Sequence, residues 1–270
     1  MDFSREELAS LDSLFHLIKL RNYASGSMND DAIKYEQIIA YLRIIDAEVR
    51  RLSKKRPLVF VESAAGNCYL SFLVYYYYGI LCKRPVEIHC IDTNERLMDN
   101  CRAIAGNLPM AFTELSFHAM DINDFDLGKD IDFAYSLHAC DVATDKALFL
   151  GIRNNARCIF SVCCCQETVT RYFRSSALPG VSRYKSLKEK LVYIIVDAMR
   201  AHLLIKNGYS VDIFDFVSSR ITDRNTILRA RRDNNVRVRA VNEEYDQLKN
   251  GFSIRPELEK LLAGKQGKAT

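Results

Sequence analysis

The chain has 270 residues, 49% of them hydrophobic, and a net charge of +4. That is enough for one large packed domain, or one domain with an extension. The start, MDFSREELASLDSL, has early acids and no apolar core, so it does not read as a signal peptide. The most apolar run, Tyr69–Cys82, falls short of the roughly 20 residues that a membrane helix needs. Nine cysteines, an odd number scattered through expected strands and helices, fit the reduced thiols of a cytoplasmic protein better than a disulfide framework.

Taken in order, Arg5–Leu20 and Asp31–Leu52 carry apolar residues at helical spacing, among them Ile38, Ile39, Leu42, Ile45 and Val49. The stretch NYASGSMND between them reads as a loop whose end offers Asn29 or Asp30 as an N-cap. These helices form an expected N-terminal extension, residues 1–54, either covering one side of a ligand cleft or serving only to pack. From Pro57 the pattern alternates. Strands are expected at Leu58–Val61, Val86–Ile91, Leu115–Met120, Asp132–Leu137 and Arg157–Val162. The intervening helices are Asn67–Leu81, Asn94–Ala105 with Gly106 as its stop, and Val142–Ile152. That rhythm implies parallel β-α-β units with right-handed crossovers.

After the fifth strand the rhythm changes. Gln166–Ser186, broken by Pro179–Gly180, reads as a long exposed basic loop, and Leu187–Lys206 as a helix stopped by Gly208. Ser210–Val217 and Thr226–Arg232 form an antiparallel pair. Val236, Val238 and Ala240 alternate with arginines, as in an edge strand or hairpin arm. Pro256 suits the first residue of a last helix. The main domain spans residues 55–263, and 264–270 read as a flexible tail.

In an open parallel sheet, ligands bind beyond the carboxyl ends of the strands, where strand order reverses. The first strand ends in Glu62, followed by small residues including Ala64 and Gly66, then Asn67, a turn that lets backbone approach a ligand. The second ends in Asp92, twenty-six residues after Gly66, where a carboxylate can accept both hydroxyls of a ribose or simply favour the following helix. The third ends in Asp121-Ile122, an acid and an apolar residue suited to an adenine amino group and ring face, or one loop acid among several. Three strands each ending in an acid point to an adenosine cofactor.

The fourth strand ends in Ser136-Leu137-His138-Ala139-Cys140-Asp141. His138 there is a candidate general base, or a structural histidine. The fifth ends in Cys163-Cys164-Cys165-Gln166, next to the fourth. Three consecutive cysteines do not all face one metal and no C-x-x-C spacing exists, so no metal site is expected. A nucleophilic thiol and a small polarisable cleft lining are equally weighted readings.

With these motifs placed, the chain resembles the class I S-adenosylmethionine-dependent methyltransferases. It looks most like the branch with an LHAC–ATD signature after strand four, here SLHACDVATDKAL, and a double cysteine after strand five, here SVCCCQE. The helix LKEKLVYIIVDAMRAHLLIKNGY, the strand VDIFDFV and the turn Thr222-Asp223-Arg224-Asn225 match too. The likeness runs from about Ile33 to the last helix and extends to tRNA 2′-O-methyltransferases. It implies an α/β, Rossmann-like fold: a seven-stranded, mostly parallel sheet with an antiparallel last strand, plus the helical extension. It further implies S-adenosylmethionine as cofactor, held by Glu62, Ala64, Gly66, Asn67, Asp92, Asp121, Ile122 and Ser136. The candidate catalytic residues are His138, Cys140, Asp141, Cys164 and Cys165. The family loop reads acid-x-Gly-x-Gly-Lys-Gly, where this chain has Ala64 and Cys68, side chains that either narrow the cofactor's approach or require φ > 0 of non-glycine residues.

RNA is the expected substrate, because basic residues cluster. Arg171–Lys190 holds six against one acid, and Arg220–Arg239 holds seven arginines against two acids. Gln166, Arg171, Arg174, Arg224 and Asn225 are the expected substrate contacts. The alternatives are a cysteine-dependent cytosine methyltransferase and a catalytically degenerate binding module.

Overall fold

The computed structural model describes residues 3–20, 28–173, 178–222, 225–233, 235–236 and 239–266. Seven strands form one sheet in the order β3-β2-β1-β4-β5-β7-β6. They are β1 (Leu58–Ser63), β2 (Val86–Asp92), β3 (Leu115–Ala119), β4 (Phe133–Ala139), β5 (Cys158–Cys163), β6 (Tyr209–Asp215) and β7 (Thr226–Arg232). All neighbours pair in parallel except β7, which runs antiparallel to both β5 and β6. Strand order therefore reverses between β1 and β4, and the residues at those two carboxyl ends face a common crevice.

Strand alternation sends Leu58 and Phe60 to one face of the sheet and Val59 and Val61 to the other, so each face grows its own core. On the first face lie α1 (Arg5–Leu20), α2 (Met28–Val49), α3 (Tyr69–Tyr75, continued by a π-helical turn over Tyr76–Leu81) and α4 (Glu95–Asn107). Leu11, Phe15, Ile18, Tyr41 and Leu42 of the two leading helices share a buried cluster with Phe60, Phe72 and Phe133. The N-terminal helices are thus part of the central core. On the second face lie α5 (Val142–Arg153), α8 (Lys185–Lys206), α9 (Arg239–Phe252) and α10 (Glu257–Gln266). Two short helices, α6 (Glu167–Tyr172) and α7 (Pro179–Ser182), bridge β5 to α8.

Several expectations need correction. Asn29 and Asp30 do not cap α2, because the helix has already begun at Met28. Helix α4 runs through Gly106 to Asn107, and Asn94 caps its start by accepting from the Leu97 amide at 3.2 Å. The basic stretch after β5 contains α6 and α7 where a loop was expected, both too short to leave a periodic signal. Ala240 lies in α9, where a hairpin arm was expected; Val238 is outside the described residues. Tyr245, Leu248 and Phe252, spaced three and four apart, turn one side of that helix to the core. Pro256 stands just ahead of α10, and the expected tail is helical through Gln266, with 267–270 outside the described residues.

Gly151 on α5 sits so close to the sheet that a Cβ there would meet Ile159 Cδ1 at 2.7 Å and Ala134 Cβ at 3.2 Å. The second face also holds a buried charge. Arg200 of α8 is 1% exposed and donates to both carboxylate oxygens of Asp145 on α5, at 3.0 and 2.9 Å. It also donates to Asp197 at 3.0 Å and to the Asp141 carbonyl at 3.3 Å, tying α8 to α5 and to the end of β4. Removing one member of such a buried pair strands the other, at about 3–5 kcal/mol. Arg200→Met should lose that much in urea unfolding, and Arg200→Met with Asp145→Leu should recover part of it; a single variant within 1 kcal/mol of wild type, on the same scale, would contradict the role given to this pair.

Candidate active site

The loop after β1 makes three left-handed turns in five residues, with φ of +53° at each of Ala64, Gly66 and Cys68. Only glycine adopts that conformation at no steric cost, and other residues lose about 1–2 kcal/mol. The loop holds its shape because β2 grips it. The Ala65 amide donates to the Ile91 carbonyl at 3.0 Å, and the Gly66 amide donates to Asp92 Oδ2 at 2.9 Å. Cys68 is fully buried at the start of α3.

Asp92 Oδ1 accepts the Asn94 amide at 2.9 Å. Each oxygen of its carboxylate therefore holds one backbone N–H and keeps a second lone pair. Asp92, Ala64, Asp121, Ile122, Ala143 and Lys146 line a cavity of about 220 Å³ over the ends of β1, β2 and β3. Asp121 accepts the Asn123 amide at 2.9 Å and pairs with Lys146, which holds its carboxyl below the usual range and keeps it ionised. Ile122 is buried beside it. An acid for a ribose, an acid beside an apolar floor for a base, and a small-residue loop fit the adenosine end of S-adenosylmethionine. Lys146 and Ala143 were not expected from sequence, although both lie on the α5 face that follows the strand-four motif.

Glu62 and Ser136 do not reach this cavity. Glu62 shares the strand face of Leu58 and Phe60, so it points under α3, 3% exposed, and accepts from Ser71, whose hydroxyl lies 2.7 Å from Tyr135 Oη. Burial pushes its carboxyl up to about 8, against the opposing bond from Ser71. Ser136 is fully buried, 2.9 Å from the Ser161 hydroxyl, and its carbonyl accepts from Tyr41 of α2 at 3.1 Å. Asn67 is half-buried in the loop.

The substrate-side residues gather at the ends of β4 and β5. His138 and Asp141 both have positive φ, +63° and +51°, which turns the intervening Cys140 outward to solvent. His138 Nε2 is 3.0 Å from Gln37 Oε1 of buried α2, so with that oxygen accepting, the ring proton sits on Nε2 and Nδ1 bears the lone pair. Asp141 accepts the Thr168 amide at 2.9 Å and its hydroxyl, so its carboxylate caps α6. Cys140 Sγ lies 2.9 Å from Cys164 Sγ, and Cys165 joins them. Cys163 is set apart, accepting from Gln166 Nε2 at 3.2 Å.

A second cavity, of about 590 Å³, opens between α8 and the β5–β7 edge, lined by Cys163, Lys190, Tyr193, Asp197 and Asn225 among others. Gln166 is buried, and Asn225 donates to the Val217 carbonyl at 3.1 Å. Arg171 is exposed and pairs with Glu167 at 3.0 Å, while Arg174 and Arg224 lie outside the described residues. Two arginines of the second basic segment are already engaged within the fold. Arg229 and Arg231 both pair with Glu48 of α2 and with Asp212, and so tie the sheet edge to the N-terminal helices.

A family model described as a methyltransferase domain matches residues 33–172. The chain belongs to that family. It is a methyltransferase, with the seven-stranded fold that the strand-end motifs imply. Among solved structures, it resembles magnesium protoporphyrin IX methyltransferase from Synechocystis with bound SAM, at 13% identity, covering 86% of this chain and 100% of that one (TM-score 0.44). It also resembles an rRNA methylase from Streptococcus thermophilus at 8% identity, covering 71% and 95% (TM-score 0.44). For the CMeT domain of the citrinin polyketide synthase the identity is 13%, covering 75% of this chain and 52% of that one (TM-score 0.47). The methyltransferase thus spans about half the length of that last chain. No curated protein matches it.

Two measurements check the placement of Asp92 and of Glu62. Asp92→Ala removes both the loop anchor and the ribose acceptor, and should weaken S-adenosylhomocysteine binding in calorimetry by about 10- to 100-fold, the worth of one charged hydrogen bond of about 1.5–3 kcal/mol. Unchanged affinity would move the ribose elsewhere. For Glu62, the carboxyl ionises near 4.5 when unfolded and near 8 in the fold, so the folded state holds the extra proton between these values. Its contribution is full at low pH and is lost as pH rises through that window. Urea midpoints should therefore fall from pH 5 to 8, a window set by those two values, and Glu62→Gln should flatten that fall; equal slopes in both proteins would show that Glu62 is ionised in the core.

Proposed function

We propose that this methyltransferase acts on RNA, in a reducing, cytoplasmic setting. The observation that carries the reading is the composition around the larger cavity. Lys190 and Tyr193 line it, and the adjoining α7–α8 segment presents Arg183, Tyr184, Lys185 and Lys188. Tyr184 is 58% exposed. Basic side chains interleaved with accessible aromatic rings suit a single strand, whose phosphates take the charge and whose bases stack. None of the nine cysteines forms a disulfide, and no described helix is long and apolar enough to cross a membrane.

In this reading Asp92, Asp121, Ile122 and Ala64 hold the adenosine end of the cofactor. Bound S-adenosylmethionine supplies an electrophilic methyl group on its sulfonium. The protein's remaining work is to place an acceptor in line with that methyl and to take its proton. His138 Nδ1 is the base, and Gln37 fixes the ring's tautomer from α2. A free cysteine nucleophile is disfavoured, because burial pushes the Cys164 thiol well up and Cys165 up to about 11, away from the thiolate.

The test is nucleoside mass spectrometry after incubating cellular RNA and protein with the enzyme and methyl-labelled cofactor. A labelled ribonucleoside is expected, and His138→Ala should lower its formation by about 10²–10⁴-fold with S-adenosylhomocysteine affinity unchanged. Label confined to protein or small molecules would overturn the RNA reading, and an unchanged rate would remove His138.

A further inference from the structure

The expectation of no metal rested on the absence of C-x-x-C spacing and on three consecutive cysteines being unable to face one ion. The structure removes that obstacle by dividing them. Cys163 ends β5 with its thiol 3.1 Å from the Cys165 carbonyl and within reach of Gln166, while the next two residues turn toward the end of β4. There the Sγ atoms of Cys140, Cys164 and Cys165 all lie within 4.8 Å of one another. We propose that these three thiols form a zinc site with an open fourth position, at the acceptor side of the methyltransferase cleft.

Three observations carry this. The first is spacing. The Cys140–Cys164 separation of 2.9 Å is too long for a disulfide bond of about 2.05 Å, and both are free thiols with Cys165 alongside. Three thiolates at about 2.3 Å from one ion sit ~3.8 Å apart, so a small outward shift of one thiol brings the cluster to a tetrahedral face.

The second is that the ligand-bearing loops are fixed from outside the cluster. The Asp141 amide donates to the Cys165 carbonyl at 3.1 Å, joining the two strand ends directly. Tyr193 of α8 donates to the Cys164 carbonyl, and Arg200 holds the Asp141 carbonyl at 3.3 Å. Positive φ at His138 and Asp141 turns Cys140 between them. A site held this way needs little reorganisation to accept an ion.

The third is donor chemistry. The carboxylate next to Cys140 in the chain, Asp141, is committed to Thr168, and His138 Nε2 is committed to Gln37. That leaves an all-sulfur set, which selects a soft ion such as Zn²⁺ over Mg²⁺ or Ca²⁺. Binding would release the thiol protons to solvent and leave three thiolates on one divalent ion. Structural zinc sites are closed by four protein ligands, whereas a three-ligand site keeps a place for water or a heteroatom of the acceptor. Cys140 is exposed, so the cluster opens to the solvent side. The site stands on these atoms whatever the acceptor is.

The experiment uses the full chain, purified under reducing conditions, dialysed with Zn²⁺ and then against buffer, with metal content read by plasma mass spectrometry. Retention of about one zinc per chain is expected. Competition with a chromophoric chelator should show affinity falling about tenfold or more in each of Cys140→Ser, Cys164→Ser and Cys165→Ser, since even outer-shell losses cost that much, and staying put in Cys82→Ser. Should a serine variant fail to fold, cobalt titration of the unaltered protein decides, because tetrahedral sulfur ligation gives intense thiolate-to-cobalt absorption. No retained zinc and no such absorption would overturn the proposal. So would zinc binding that survives all three cluster substitutions, or a Cys140–Cys164 disulfide trapped by alkylation in freshly isolated protein.

Discussion

The arrangement at the carboxyl ends of the sheet depends on one buried cation. Arg200 has almost no solvent contact, and a guanidinium in that position is tolerable only when its charge and its donors are fully met. Asp145, Asp197 and the Asp141 carbonyl meet them from α5, α8 and the end of β4. Because these partners come from separate elements, neutralising the charge also fixes where α8 crosses the loops that carry His138 and the thiols. Tyr193, two turns earlier on the same helix, then reaches the Cys164 carbonyl and forms a wall of the larger cavity.

A second constraint is the use of left-handed backbone at non-glycine positions. Ala64, Cys68, His138 and Asp141 all adopt it, two in the turn after β1, one at the penultimate residue of β4 and one just beyond that strand, on the two strands where the order reverses. Each conformation disfavours itself by about 1–2 kcal/mol, so the surroundings must over-determine it. Asp92 and Ile91 do so for the first loop, and Arg200 with the Cys165 carbonyl for the second. The crevice is therefore shaped by main chain gripped from behind.

Much of this was legible in the sequence. Strands ending in Asp92 and Asp121 announce themselves through short apolar runs followed by an acid and a helix, and the cavity does form over them. The pairing of the fourth and fifth strands brought Cys140 to Cys164 as expected. What could not be read was long-range side-chain pairing. Nothing local marks Arg200 as buried, Gln37 as the partner of His138, or Glu48 as the acid that absorbs Arg229 and Arg231. The alternation at Val236–Ala240 spans too few residues to outweigh the helical spacing that follows. Glu62 was expected at the cofactor, but its parity with Leu58 and Phe60 sends it to the face under α3.

Helix α5 has one further property. Its residues Val142, Ala143 and Lys146 line the smaller cavity, while Gly151, eight residues beyond Ala143 and so about 12 Å along the axis, presses directly on Ile159 and Ala134. From Thr144 to Ile152 the helix is buried at every position but Lys146, so it lies against the sheet along most of its length. A methyl group at Gly151 would force Ile159 aside or lift the helix from β4 and β5. The closeness of that packing is a demand on a core position that touches no ligand, made on the same helix that carries Ala143 and Lys146.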